Sequence, residues 1–186
     1  MTDLSAIHIT PHREMQPKVG ISACLTGQAV RYDAGHKYSD LIMRELGPWL
    51  DLQVFCPEAD AGLGVPRPPV KLVEHTHGEI RAVGVSQPEL DVTEPLRHSA
   101  HQFASRQAQE LCAYIVKSRS PSCGSGSTPI AENCDGEESI SRDGDGLLVS
   151  ALKAQCPGLL IVEERDLDSV EKCRAFLERC YLLSER

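Results

Sequence analysis

The 186-residue sequence predicts an α/β fold: a single domain on a mostly parallel sheet with helices on both faces, in Rossmann-like layering. Three observations predict it. Four short apolar runs have strand character: KVGISA (18–23), DLQVFC (51–56), CAYIVKS (112–118) and GLLIVEE (158–164). Segments of helical period lie between and after them, the alternation that builds a parallel sheet. The length suits one domain, and 41% apolar content supplies a core of Val, Ile, Leu and Ala despite only 4% aromatic residues.

The elements follow in order. MTDLSAIHITPHREMQPK has no basic start followed by an apolar run, so it is no secretory signal. Residues 1–16 read as a flexible tail and 17–186 as the domain. Residues 39–50, SDLIMRELGPWL, form a helix with Ser39 and Asp40 as caps and Leu41, Met43 and Leu46 apolar. VKLVEHTHGEIRAVGVSQ predicts a short hairpin around Gly78. Residues 95–114 carry the stripe Ala100, Phe103, Ala104, Ala108, Leu111 and Cys112. The stretch from Gly124 to Gly146 is polar and irregular, the kind that marks a lid or binding loop. The last helix repeats Val170, Cys173, Leu177, Cys180 and Tyr181.

No run of 18 apolar residues occurs, which excludes a membrane-spanning helix, and the cytoplasm is the expected location. A net charge of −8 argues against a broad polyanion-binding face, though not against a local phosphate pocket. Eight cysteines in a cytoplasmic chain point to core thiols, metal ligands or a nucleophile rather than to disulfides. Cys112, Cys173 and Cys180 fall on helical stripes and read as small buried apolar residues. Cys156, ahead of Pro157, suits packing at a helix end, and Cys134 has no assigned role.

Cys24, Cys56 and Cys123 differ from these. Each follows an apolar run and precedes turn-forming or helix-starting residues: CLTG, CPE and CGSG. In a parallel sheet, ligands bind beyond the carboxyl ends of the strands, where these three thiols arrive. Amides at such ends favour thiolate, suiting a metal ligand or a nucleophile. Three thiolates fit a catalytic metal with an open position, or an iron–sulfur cluster with one iron free. The competing reading is three unrelated buried thiols. Glu58 would stand near the open position, or would simply favour the start of the helix after Pro57. Arg31, Lys37, Arg67, Lys117 and Arg119 gather near the same segments, facing either solvent or a substrate phosphate.

ISACLTGQAVRYDAGHK, VFCPEADAGLGVPRPP, VKSRSPSCGSG and RDGDGLLVSALKAQCPGLLIVEERDL resemble the bacterial thiouracil desulfidases, in order, from about Val19 to Leu167. The resemblance implies an enzyme that removes sulfur from a thiolated pyrimidine, 4-thiouracil or its nucleotide, by non-redox hydrolysis. It implies a 4Fe–4S cluster held by Cys24, Cys56 and Cys123, with one open iron. It also implies a catalytic carboxylate at Glu58 and a catalytic serine at Ser120. Arg31, Lys37, Arg67, Arg119 and Ser122 are the expected substrate contacts. Thiolated tRNA is the less favoured partner, because the chain is acidic and carries no recognisable RNA-binding appendage. A non-enzymatic iron–sulfur sensor and a metal-free cysteine hydrolase, with Cys24 or Cys123 as nucleophile, are the competing classes.

Overall fold

Four parallel strands, β1 (Lys18–Ser22), β2 (Asp51–Phe55), β5 (Ala113–Val116) and β8 (Leu160–Glu163), form one sheet in the order β2-β1-β5-β8. They are the four apolar runs of the sequence. The computed structural model describes residues 16–75, 78–134 and 137–185, with 133–142 described by backbone alone. The expected tail, apart from Gln16, and the side chain of Cys134 lie outside the described residues.

The central strands β1 and β5 are buried on both faces, which is why they read as continuous apolar runs. Val19, Ile21, Ala113 and Ile115 pack in one core with Ile42 of α1 (Asp40–Glu45) and with Cys173, Phe176 and Cys180 of α5 (Val170–Ser184). Tyr114 and Val116 alternate to the opposite face. There they meet Ala100, Phe103 and Ala104 of α3 (Thr93–Arg106), and Leu148, Val149 and Leu152 of α4 (Leu147–Gln155). Ser39 caps α1, its hydroxyl accepting from the Ile42 amide. The connection after β1 runs over one face, and those after β2 and β5 over the other. A crevice therefore opens between the carboxyl ends of β1 and β5.

A second sheet flanks the first. The expected hairpin forms as β3 (Val70–Glu74) and β4 (Ile80–Gly84), antiparallel with Val70 opposite Gly84. The segment expected to be an irregular lid is instead mostly a strand pair, β6 (Thr128–Cys134) and β7 (Glu137–Gly144). Strand β6 pairs in parallel with β3, giving the order β4-β3-β6-β7. Ile130, Leu72 and Ala82 bury their side chains beneath Leu96 and Leu147. The segment itself, rich in Ser, Glu, Asp and Gly, shows no apolar alternation in its sequence. A second correction concerns Cys112. Helix α3 ends at Arg106, Leu111 is already extended (φ −89°, ψ 138°), and Cys112 stands just before β5 with its amide donating to the Lys18 carbonyl at 3.0 Å. The helical period of the sequence simply runs on past the end of the helix.

Candidate active site

The three cysteines flagged by the sequence line one cavity of about 310 Å³ above the parallel sheet. Cys24 sits in the 3-10 turn Ala23–Thr26 that follows β1, closed by Gly27 in the left-handed region (φ 92°). Cys56 follows β2 as the residue before α2 (Pro57–Asp60), whose first position is a proline suited to helix starts. Cys123 lies in the loop after β5.

That loop is fixed from three sides. The Gly146, Leu147 and Leu148 amides at the start of α4 donate to the carbonyls of Gly124, Pro121 and Ser122, at 2.8, 3.1 and 2.8 Å. Ordinarily, first-turn amides of a helix need such outside acceptors. Glu163, buried at the end of β8, accepts from the Ser125 amide at 2.8 Å and from the Ser127 hydroxyl, and pairs with Arg165 at 2.6 Å. Its neighbour Glu164 accepts from the Ser118 amide and hydroxyl at 2.6 and 2.8 Å and from the Lys117 ammonium. No motif or spacing marks Glu163, Glu164 or Gly146 in the sequence.

Glu58 projects from α2 into the cavity wall and is not alone there. One carboxylate oxygen accepts from Arg67 Nε and Nη2 at 2.8 and 2.6 Å, and the other accepts from the Ser122 hydroxyl at 2.8 Å. In the sequence this pairing is hidden, since a turn separates Glu58 from Arg67. The Arg67 guanidinium is buried and also donates to the Gly64 and Val30 carbonyls, both at 2.8 Å. It therefore holds the carboxylate like a clamp. Ser120 Oγ accepts from the amides of Ser122 (3.3 Å) and Cys123 (3.1 Å), which leaves its own proton free to donate into the cavity.

Arg31, Arg67 and Arg119 all line the cavity, but they differ in freedom. Arg31 lies 3.5 Å from Asp33 and over the Tyr32 ring at 5.2 Å. Arg119 is exposed, on a backbone with φ 58°, and its amide donates to Ser127 Oγ at 2.8 Å. Ser122 is buried behind the cavity wall, against Glu58. Lys37 is exposed and does not line the cavity, although its amide donates to the Cys24 carbonyl at 2.8 Å.

Burial pushes the Cys24 thiol up to about 11, with the charge of Cys56 adding to the effect. Burial likewise raises Cys123 well above its ordinary value, opposed by a hydrogen bond with Ser22. It also raises Cys56, against the pull of the Ala59 amide. Three thiolates facing one another in this cavity would need a cation of high charge to hold them deprotonated. Among the described residues no three His, Cys, Asp or Glu side chains converge tightly enough for a single metal ion. Behind the cavity, the fully buried Tyr114 hydroxyl has no hydrogen-bond partner among the described residues.

Comparisons with known proteins bear on the family and the fold. Residues 19–164 match the model of a family described as 2-thiouracil desulfurase. YbbK of Bacillus subtilis (strain 168), itself uncharacterised, is 30% identical over 154 residues, covering 81% of this chain and 97% of that protein. A solved structure described as the [4Fe-4S]-dependent thiouracil desulfidase TudS superposes with a TM-score of 0.60 at 30% identity, covering 87% of this chain and 99% of that one.

Proposed function

The chain belongs to the 2-thiouracil desulfurase family, a family of desulfidase enzymes, and from that premise we propose that it hydrolyses a thiolated pyrimidine with the aid of a 4Fe–4S cluster. The reaction is thiocarbonyl plus water to carbonyl plus hydrogen sulfide, with no change of oxidation state. The observation that carries the proposal is the meeting of Cys24, Cys56 and Cys123, from the ends of three strands, on one cavity.

The residues present fit such a group. Three thiols lining one cavity of about 310 Å³ suit a multi-iron cluster, and the fully buried Tyr114 hydroxyl lacks a partner among the described residues. When bound, a cluster with three protein ligands supplies one iron as a Lewis acid for the substrate's sulfur. The remaining chemistry belongs to the chain. Glu58, oriented by Arg67 and Ser122, takes the proton of the attacking water. Ser120, whose oxygen is already engaged by two amides, gives its proton to the departing sulfur or to a ring nitrogen. Pro121 and Phe55 give the cavity wall part of its apolar surface.

A cavity of about 310 Å³ suits a single base better than a folded RNA. Arg31 and Arg119 are the candidates for a nucleotide phosphate at its edge, and their number fits one phosphate better than a long backbone track. Among the described residues no helix is long and apolar enough to cross a membrane.

The test is sulfide release, measured anaerobically on reconstituted protein, from 2- and 4-thiouracil, the 4-thiouridine monophosphate and thiolated tRNA at two salt concentrations. Turnover of a small substrate is expected. Turnover of tRNA far above the small substrates, falling steeply with salt, would overturn the small-substrate reading. A cluster-replete protein releasing no sulfide from any of them would point to a sensor.

A further inference from the structure

Tyr114 is fully buried and carries a hydroxyl with no partner among the described residues. Buried tyrosine hydroxyls ordinarily find an acceptor or donor, because leaving one bare is destabilising. Phenylalanine would fill the same space without that penalty. The surrounding packing fixes the ring. It lies against Gly20 of β1 so closely that a Cβ there would come within 2.3 Å of Tyr114 Cδ2 and 2.5 Å of Cε2. On another side it meets Phe103 edge-on, with centroids 5.7 Å apart, and Phe103 stacks on the cavity-lining Phe55 at 4.1 Å.

Cys123 belongs to the same buried cluster as Tyr114. Burial holds the hydroxyl well above its ordinary pKa, and negative charge at Cys123, Cys56 and Cys24, in that order, would raise it further. Ser22, two residues beyond Gly20 on the same face of β1, hydrogen-bonds the Cys123 thiol. The Ser22 oxygen accepts from the Lys117 amide at 3.1 Å, which leaves its proton for that sulfur. Tyr114, within the buried cluster, and Ser22, on the cavity wall, thus lie on the sheet face that carries Cys123.

We propose that Tyr114 is a positioning residue of the cofactor site, its hydroxyl donating a hydrogen bond to a sulfur at the Cys123 corner of the cluster. The inference rests on the cluster assigned above. Hydrogen bonds to ligand sulfurs stabilise the more negative, reduced level of an iron–sulfur centre and orient its ligands. The hydroxyl would then be bare only while the cluster is absent. This predicts opposite effects on the two forms of the protein.

The experiment compares Tyr114→Phe with the unaltered chain, each as apoprotein and after anaerobic reconstitution. In the apo form, removing a bare buried hydroxyl should leave the melting temperature unchanged or raise it. In the loaded form, the midpoint potential, followed by the electron paramagnetic resonance signal of the reduced cluster, should shift to more negative values. Cluster loss in air should also be faster. A merely structural role would leave the potential where it was. Equal potentials in two fully loaded proteins would overturn the inference while leaving the desulfidase reading intact. A lowered apo melting temperature would overturn it too, by showing that the hydroxyl already has a partner. Failure of the unaltered chain to take up iron and sulfide would overturn both readings together.

Discussion

Gly146 offers a sharp test of how the Cys123 loop is held. Its backbone (φ −68°, ψ 161°) is one that any residue adopts, so conformation alone does not demand glycine. Judged on the backbone, Gly146→Ala would stabilise the fold by about 0.4–1 kcal/mol through the unfolded state. Space decides otherwise. A Cβ would lie 2.5 Å from the Ser122 carbonyl carbon and 2.7 Å from both the Ser122 oxygen and the Cys123 nitrogen. All three are backbone atoms, so no side-chain rotation relieves the clash, and α4 and the loop must part by most of an ångström. Such overpacking destabilises by ~1–3 kcal/mol. Weakening the three amide–carbonyl bonds between α4 and the loop removes roughly 1 kcal/mol for each one lost. A net loss of about 2–4 kcal/mol corresponds to a fall in melting temperature on the order of 5–15 °C for a chain of this size. Thermal unfolding of the apoprotein, with iron per chain after reconstitution, measures both consequences. Gly158→Ala is the control, since a Cβ there meets nothing within 4 Å. A Gly146→Ala protein that melts within a degree of the unaltered chain and takes up full iron would refute the reasoning.

Three further outcomes are expected. Alanine at Cys24, Cys56 or Cys123 abolishes cluster uptake, whereas Cys173→Ala, in the core beneath the sheet, keeps full iron content and loses only packing; iron and sulfide analysis separates them. Glu58→Gln keeps the shape and the Ser122 contact but removes the base, so turnover falls by roughly 10² or more at unchanged cluster content. Near-normal turnover would return Glu58 to a structural partner of Arg67. Arg67→Ala strips Glu58 of its counter-charge and bares the Gly64 and Val30 carbonyls, destabilising by about 3–5 kcal/mol. Denaturant unfolding reads this directly, and Arg67→Lys recovers little because an ammonium cannot reproduce the fork.

What could be read in advance followed burial. The strands of the parallel sheet are short apolar runs ended by turn residues, and three of them carry a cysteine just past the end, so fold class and candidate thiols were both legible. Strands β6 and β7 were not, because their sequence is polar and glycine-containing and looks like a loop. The Glu58–Arg67 clamp was hidden by the turn between its members. Gly146 was hidden because a glycine in a polar stretch reads as flexibility rather than as contact. Glu163 and Glu164 end a strand as two adjacent acids, which resembles an exposed surface. Tyr114 was masked by its strand being buried on both sides: with no alternation in AYIV, nothing says which residue faces the cysteines.

The parallel pairing of β3 with β6 has a consequence for how the molecule comes together in time. Each strand lies in the connection that follows a cysteine turn, β3 after Cys56 and β6 after Cys123, and Leu72 faces Ile130 across the whole of α3. The site is thus sutured by a contact between segments distant along the chain, the kind that forms late because a long loop must close first. On a growing or refolding chain, Cys24 and Cys56 become neighbours early, through the β1–β2 pairing, while Cys123 waits for the second half of the sequence. A cluster offered before that moment meets two thiols rather than three, so the order of synthesis itself favours loading into the finished protein.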